Sequence, residues 1–108
     1  NDYLFVHAGV EPRDNYKDVA ECLKAISHPT RLCILRNLAA KGRCNVSYMQ
    51  HCLQEPQATV SQHLSKLKVA GLIDCERKGT VVEYFVSDSR VEGLMNLLFG
   101  QNESAEVL

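Results

Sequence analysis

Between Pro56 and Leu72 the chain reads PQATVSQHLSKLKVAGL, where Val60, Leu64, Leu67 and Gly71 recur at helical spacing and hydrogen-bonding residues fill the positions between them. After Gly71 the period drops to two. Ile73, Cys75 and Arg77 alternate with charged residues, Lys78-Gly79-Thr80 makes a turn, and Val82, Tyr84 and Val86 alternate again. An amphipathic helix running straight into a β-hairpin leaves few architectures open, because the apolar sides of both elements must share one core.

The segment ahead of Pro56 supplies the rest of that core. Val19, Cys22, Leu23 and Ile26 repeat at i, i+3, i+4 and i+7 behind Asn15, a candidate N-cap, so a helix is expected from Tyr16. Ser27-His28-Pro29 breaks it, since Pro29 disfavours the α conformation at His28 and suits the first turn of a second helix carrying Leu32, Leu35, Leu38 and Ala39. That helix is expected to end near Lys41-Gly42. Asn45 or Ser47 then caps a short third helix with Val46, Met49, Cys52 and Leu53, stopping at Glu55-Pro56. Beyond the hairpin, Asp88 or Ser89 caps a last helix with Val91, Leu94, Met95 and Leu98. The expected fold is mainly α with a small β-hairpin, in the order α1-α2-α3-α4-β-β-α5. Residues 15–100 form the domain, 1–14 a flexible or loosely docked arm, and 101–108 a polar acidic tail.

A short helix, a tight connection and a second helix with a polar leading end make a helix-turn-helix, and a hairpin behind it makes a winged helix. The second helix then enters the major groove. Gln57, Thr59, Ser61, Gln62 and His63 are suited to base edges, Gln as a two-pronged partner of adenine, and Lys66 to a phosphate. Arg77 and Lys78 near the hairpin tip can reach phosphates or the minor groove. Any surface helix has a polar outer face, so this one alone does not decide between a DNA reader and an ordinary amphipathic helix.

The formal net charge is −1, yet its distribution is uneven: residues 29–55 carry +3 and 56–80 carry +2, against −2 over 1–28 and −3 over 91–108. A basic middle permits a DNA-facing surface, with the modest excess favouring two copies binding together. A chain of 108 residues buries only a modest core. The first and last helices carry more apolar residues than it can bury, so Leu23, Val91, Leu94 and Leu98 are expected to form a homodimer interface. No apolar run of about 18 residues and no signal-peptide pattern occurs, which predicts a cytoplasmic protein with no membrane partner.

LKAISHPTRLCILRNL, QATVSQHLSKLKVAGLI and RKGTVVEYFV together resemble the ArsR/SmtB family of winged-helix bacterial repressors, over roughly residues 16–99. The nearest likeness is to a branch without an evident metal site. The resemblance implies a homodimer joined through its first and last helices, which sets two recognition helices on an imperfect inverted repeat and blocks polymerase. It also allows a check of the family's metal sites. The thiolate pair of the third helix falls on Asn45, Val46 and Ser47, with Cys44 displaced by one residue, about 100° of helix rotation. At the zinc positions of the last helix Asp88 matches, but Arg90, Gln101 and Ser104 do not. Neither site is intact, and no metal or cofactor is expected.

Five cysteines at 22, 33, 44, 52 and 75 form no Cys-x-x-Cys pair and no secreted disulfide framework. Cys22, Cys52 and Cys75 read as small core residues. Cys33 is either packed or reactive, and Cys44 follows Arg43, which would lower a thiol pKa. Cys33 and Cys44 are therefore the candidates for sensing a small thiol-reactive inducer; a soft-metal or arsenite site built from non-standard cysteines is an alternative. His63 reads as a DNA or packing contact rather than a ligand, His28 as a turn residue, and His51 beside Cys52 lacks partners at zinc spacing. The string LFVHAG, with His7, is similar to a strand and loop of metallophosphoesterases, but no further motif of that family follows.

Three function classes remain in view. The leading one is a sequence-specific repressor; a winged-helix protein-interaction module without DNA binding is kept open by the low net charge. An enzyme is not expected, because no catalytic triad, carboxylate pair or glycine-rich phosphate loop stands in supporting context. Cys44 and His51 are separated by most of a short helix, which gives no reason for contact.

Overall fold

The computed structural model describes residues 15–100; the expected arm (1–14, with His7) and tail (101–108, with Gln101 and Ser104) lie outside the described residues. Five helices and three strands follow in the order α1 (Tyr16–Ile26), α2 (Pro29–Lys41), β1 (Arg43–Asn45), α3 (Val46–Leu53), α4 (Gln57–Val69), β2 (Ile73–Lys78), β3 (Val81–Val86) and α5 (Arg90–Phe99). Each boundary has a local cause. Asn15 Oδ1 accepts the Asp18 N–H at 3.0 Å, and Asn45 Oδ1 accepts the Tyr48 N–H at 2.8 Å, so α1 and α3 each start on an asparagine cap. Asn45, not Ser47, caps α3. Pro29 opens α2 at the position where its missing N–H costs nothing. Gly42, with φ 94°, ends α2 by returning its N–H to Leu38 O at 2.8 Å.

The core is built around α2, whose Ile34, Leu35 and Leu38 are buried against Met49 of α3, Val60, Leu64 and Leu67 of α4, Ile73 of β2, and Val91 and Met95 of α5. Burying a side chain of this size is worth roughly 1.5–3 kcal/mol. Among the described residues no helix is long and apolar enough to cross a membrane.

The expected two-stranded hairpin is one strand short. Residues 43–45 add an antiparallel third strand, giving the order β1-β3-β2 with Cys44 opposite Tyr84. Three residues are too few to show a period, which is why the sequence pattern alone does not reveal them. β1 covers the free edge of β3 and anchors the wing to the start of α3.

Candidate nucleic-acid interface

Helix α3, a left-handed Gln54 (φ 56°) and α4 form the helix-turn-helix. No side chain caps α4: Pro56 occupies its N-cap and its carbonyl accepts the Thr59 and Val60 N–H groups, leaving those of Gln57 and Ala58 without an acceptor among the described residues. Val60, Leu64 and Leu67 sink into the core, while Gln57, Ser61, Gln62 and Lys66 are exposed and Thr59 is half-buried. Gly71 lies beyond the helix, in the loop that leads to β2. The outer face thus offers two amides, a hydroxyl and an ammonium, groups that donate to or accept from base edges and phosphates.

Of the two readings of His63, DNA contact and packing contact, the geometry favours packing. Its ring packs on His28 at a centroid distance of 4.5 Å, and its Nδ1 is buried. The half-buried side chain leans toward α2. His28 is more than a turn residue: its Nδ1 accepts the Thr30 N–H at 3.0 Å and caps α2.

In the wing, Gly79 takes φ 66°, the left-handed turn conformation that favours glycine. Alternation along β2 sends its two cations to opposite faces. Lys78 lies 3.5 Å from the Glu83 carboxylate, an ion pair without a hydrogen bond, and Arg43 reaches the same carboxylate at 3.7 Å. Arg77, opposite Val82, makes no ion pair among the described residues. Of the wing's two expected phosphate contacts, Arg77 is the uncommitted one, and Lys78 is already partly neutralised.

A second surface lies between α1 and α5. A groove of about 330 Å³ is lined mainly by Val19, Cys22, Leu23, Leu94 and Leu97. Leu23 is 54% exposed, Leu98 55% and Leu97 81%. Val91 also lines the groove, but it is 1% exposed and packs mostly into the protomer's own core. Leu97 was invisible to a single-stripe reading, which follows only the face that packs inward.

All five cysteines are free. Cys44 departs from expectation, because neighbouring residues on a strand face opposite ways. Its side chain is 8% exposed, whereas Arg43 lies across the outer sheet face over Phe85, 4.4 Å from the ring centroid. Burial therefore pushes the Cys44 thiol up, against a smaller pull from Lys41. Burial also raises Cys33, with Arg36 and Asn37 opposing. Cys52 adds a smaller rise at both. Cys75 is half-buried, its Sγ accepting from Lys68 Nζ at 3.4 Å, and Cys22 donates to Ala70 O at 3.6 Å. Among the described residues no three His, Cys, Asp or Glu side chains gather to hold a metal ion. Asp88, the matching position of the zinc set, has both oxygens engaged by Arg90 at 2.8–3.1 Å.

A family profile for a helix-turn-helix domain matches residues 26–76. The chain is 39% identical, over 79% of its length and 96% of the relative's, to the uncharacterized HTH-type transcriptional regulator MJ1325 of Methanocaldococcus jannaschii. It is 38% identical to the transcriptional repressor PagR of Bacillus anthracis, over 76% of the chain and 82% of PagR. The PagR crystal structure superposes with a TM-score of 0.70 over 76% of this chain and 93% of that one. The homodimeric winged helix-turn-helix domain of Mb0332 from Mycobacterium bovis, a possible ArsR-family regulator, is 32% identical with a TM-score of 0.69, over 76% of this chain and 75% of that domain.

Proposed function

The chain belongs to the ArsR/SmtB family of winged-helix transcriptional repressors, whose members here are regulators and not enzymes, and on that premise we propose that it binds an inverted-repeat operator as a homodimer. The observation that carries this reading is α4 itself. It buries only Val60, Leu64 and Leu67 and leaves Gln57, Ser61, Gln62 and Lys66 at the surface behind a helix-turn. Gln57, Ser61 and Gln62 read base edges, with Thr59 at the margin; Lys66 and Arg77 hold phosphates, and Lys78 contributes less. Repression is steric, by occupation of the promoter. Dimerisation uses Leu23, Leu94, Leu97 and Leu98, in keeping with the homodimeric Mb0332 domain.

The test is fluorescence anisotropy on promoter DNA from upstream of its own gene and on random DNA, beside light scattering for mass. Tight, salt-sensitive preference for the promoter by a dimer supports the repressor reading. Failure to bind any duplex at low salt, with a protein partner retained, would turn the domain into an interaction module.

A second proposal concerns release by oxidants. Cys33 on α2 and Cys44 on β1 are the candidate thiols, and oxidation at either, half-buried or buried, would disturb the packing on which the reader rests. Raised thiol pKa values make the reaction slow at neutral pH and faster as pH rises toward them, because the thiolate is the nucleophile. Operator affinity unchanged after peroxide, polysulfide and arsenite would remove this reading.

A further inference from the structure

The start of α2 and the middle of α4 share a polar junction that the DNA-facing surface does not use. The His28 and His63 rings lie 4.5 Å apart between centroids, tilted by 47°. His28 Nδ1 is committed to the Thr30 N–H. Thr30 Oγ1 in turn donates to the Glu55 carboxylate at 3.3 Å, in the turn between α3 and α4. His63 Nδ1 and Arg31 Nε are buried, and neither has a hydrogen-bond partner among the described residues. One ring contact therefore spans from the scaffold helix to the reading helix, beside the turn that joins α4 to α3.

We infer that His28 is a positioning residue for DNA reading: through its ring contact it seats His63, and with it α4, and the seat holds only while His63 is neutral. A protonated His63 would bury an N–H with no acceptor. It would also set a positive charge beside Arg31 and His28 of α2, with Lys66 on its own helix. Glu55 is the carboxylate that opposes them. α1 adds Glu21 and Lys24, one charge of each sign, to a groove that Arg31 and Lys66 also line. Burial first, then His28 and Arg31, holds the His63 imidazole below its ordinary value of 6.5. The unfolded or unseated ring thus takes a proton more readily than the seated one. Seating is complete above about pH 6.5 and erodes as pH falls below it.

This inference rests on the DNA-reading proposal, so its test has one arm without DNA. In that arm, ring and amide NMR spectra of the full chain are followed from about pH 8 to about pH 5. The expected result is a depressed His63 titration, with the amides of Gln57–Val69 moving in step. His28→Asn keeps a capping side chain but removes the ring. It should raise the His63 midpoint, which loss of a merely structural cap would not do. In the second arm, the probe is a duplex that the protein itself selects from a random pool at about pH 8, compared with a random duplex. The selective ratio should fall, by at most about tenfold for each unit by which the two His63 midpoints differ. His63→Gln should flatten that fall, and His28→Asn should begin it at higher pH. An ordinary His63 midpoint, a midpoint unmoved by His28→Asn, or a pH response unchanged in His63→Gln would overturn the inference. A depressed midpoint coupled to α4 with no duplex bound at any pH would support the seating and overturn the DNA reading.

Discussion

Helices α4 and α5 bury the same kind of apolar stripe and turn opposite outer faces to the surface. α4 packs Val60, Leu64 and Leu67 inward and leaves amides, hydroxyls and Lys66 outside; α5 packs Val91 and Met95 inward and leaves Leu94 half-covered with Leu97 and Leu98 bare. The inward stripe explains why each helix is ordered, but the residue types left over decide what each can meet. A polar face is already satisfied by water and exchanges that water for bases or phosphates. An apolar patch continuous with α1 is costly in water and calls for another apolar surface. Val69, exposed alone at the end of α4, makes no such patch.

The comparison breaks most severely if the inward stripes are damaged. Leu64→Ala should cost about 2–5 kcal/mol of stability, read by thermal or denaturant unfolding, and should remove DNA binding with the fold. Next comes the apolar face: Leu97→Asp or Leu98→Asp should weaken the dimer roughly 100-fold or more, since two copies of a buried leucine are lost together. Light scattering would show a monomer, with operator affinity falling in parallel. Retention of both dimer mass and affinity would mean that α5 faces something else.

On α4, Gln62→Ala should lower discrimination against the wrong base by about 1–3 kcal/mol and leave random-DNA affinity unchanged. Equal losses on both would contradict its role as a base reader. The wing sharpens the contrast further. Arg77→Ala should weaken binding to every sequence and reduce the salt slope by about 1, whereas Lys78→Ala, already paired with Glu83, should do less.

The smallest expected effect is at the start of α5. Arg90, through its side chain and then its backbone N–H, holds the Asp88 carboxyl below its ordinary 3.8. The stabilisation is therefore present above about pH 4 and is lost as pH falls through the lowered value. Asp88→Asn should remove a fraction of a kcal/mol and flatten that part of the acid unfolding curve, an amount kept small because Arg90 is largely exposed.

Much of this architecture was legible in advance because it depends on local rules. Asn15, Pro29 and Asn45 act on N–H groups or dihedral angles within a few residues of themselves, and the change of period after Gly71 marks the wing wherever the rest of the chain lies. What was missed depends on neighbours far along the chain. β1 is recognisable only by its pairing with β3, and the burial of Cys44 only by the sheet face that pairing assigns to it.

The sequence by itself determined the order of elements, the reading helix and its buried stripe, because spacing and capping are written in consecutive residues. Tertiary structure alone decided which way the remaining side chains face. It turned His63 onto His28, committed Lys78 to Glu83 while leaving Arg77 uncommitted, sent Val91 inward and left Leu97 bare. Each of those outcomes is set by whatever surface another element brings opposite, and packing, unlike periodicity, is a property of the whole chain.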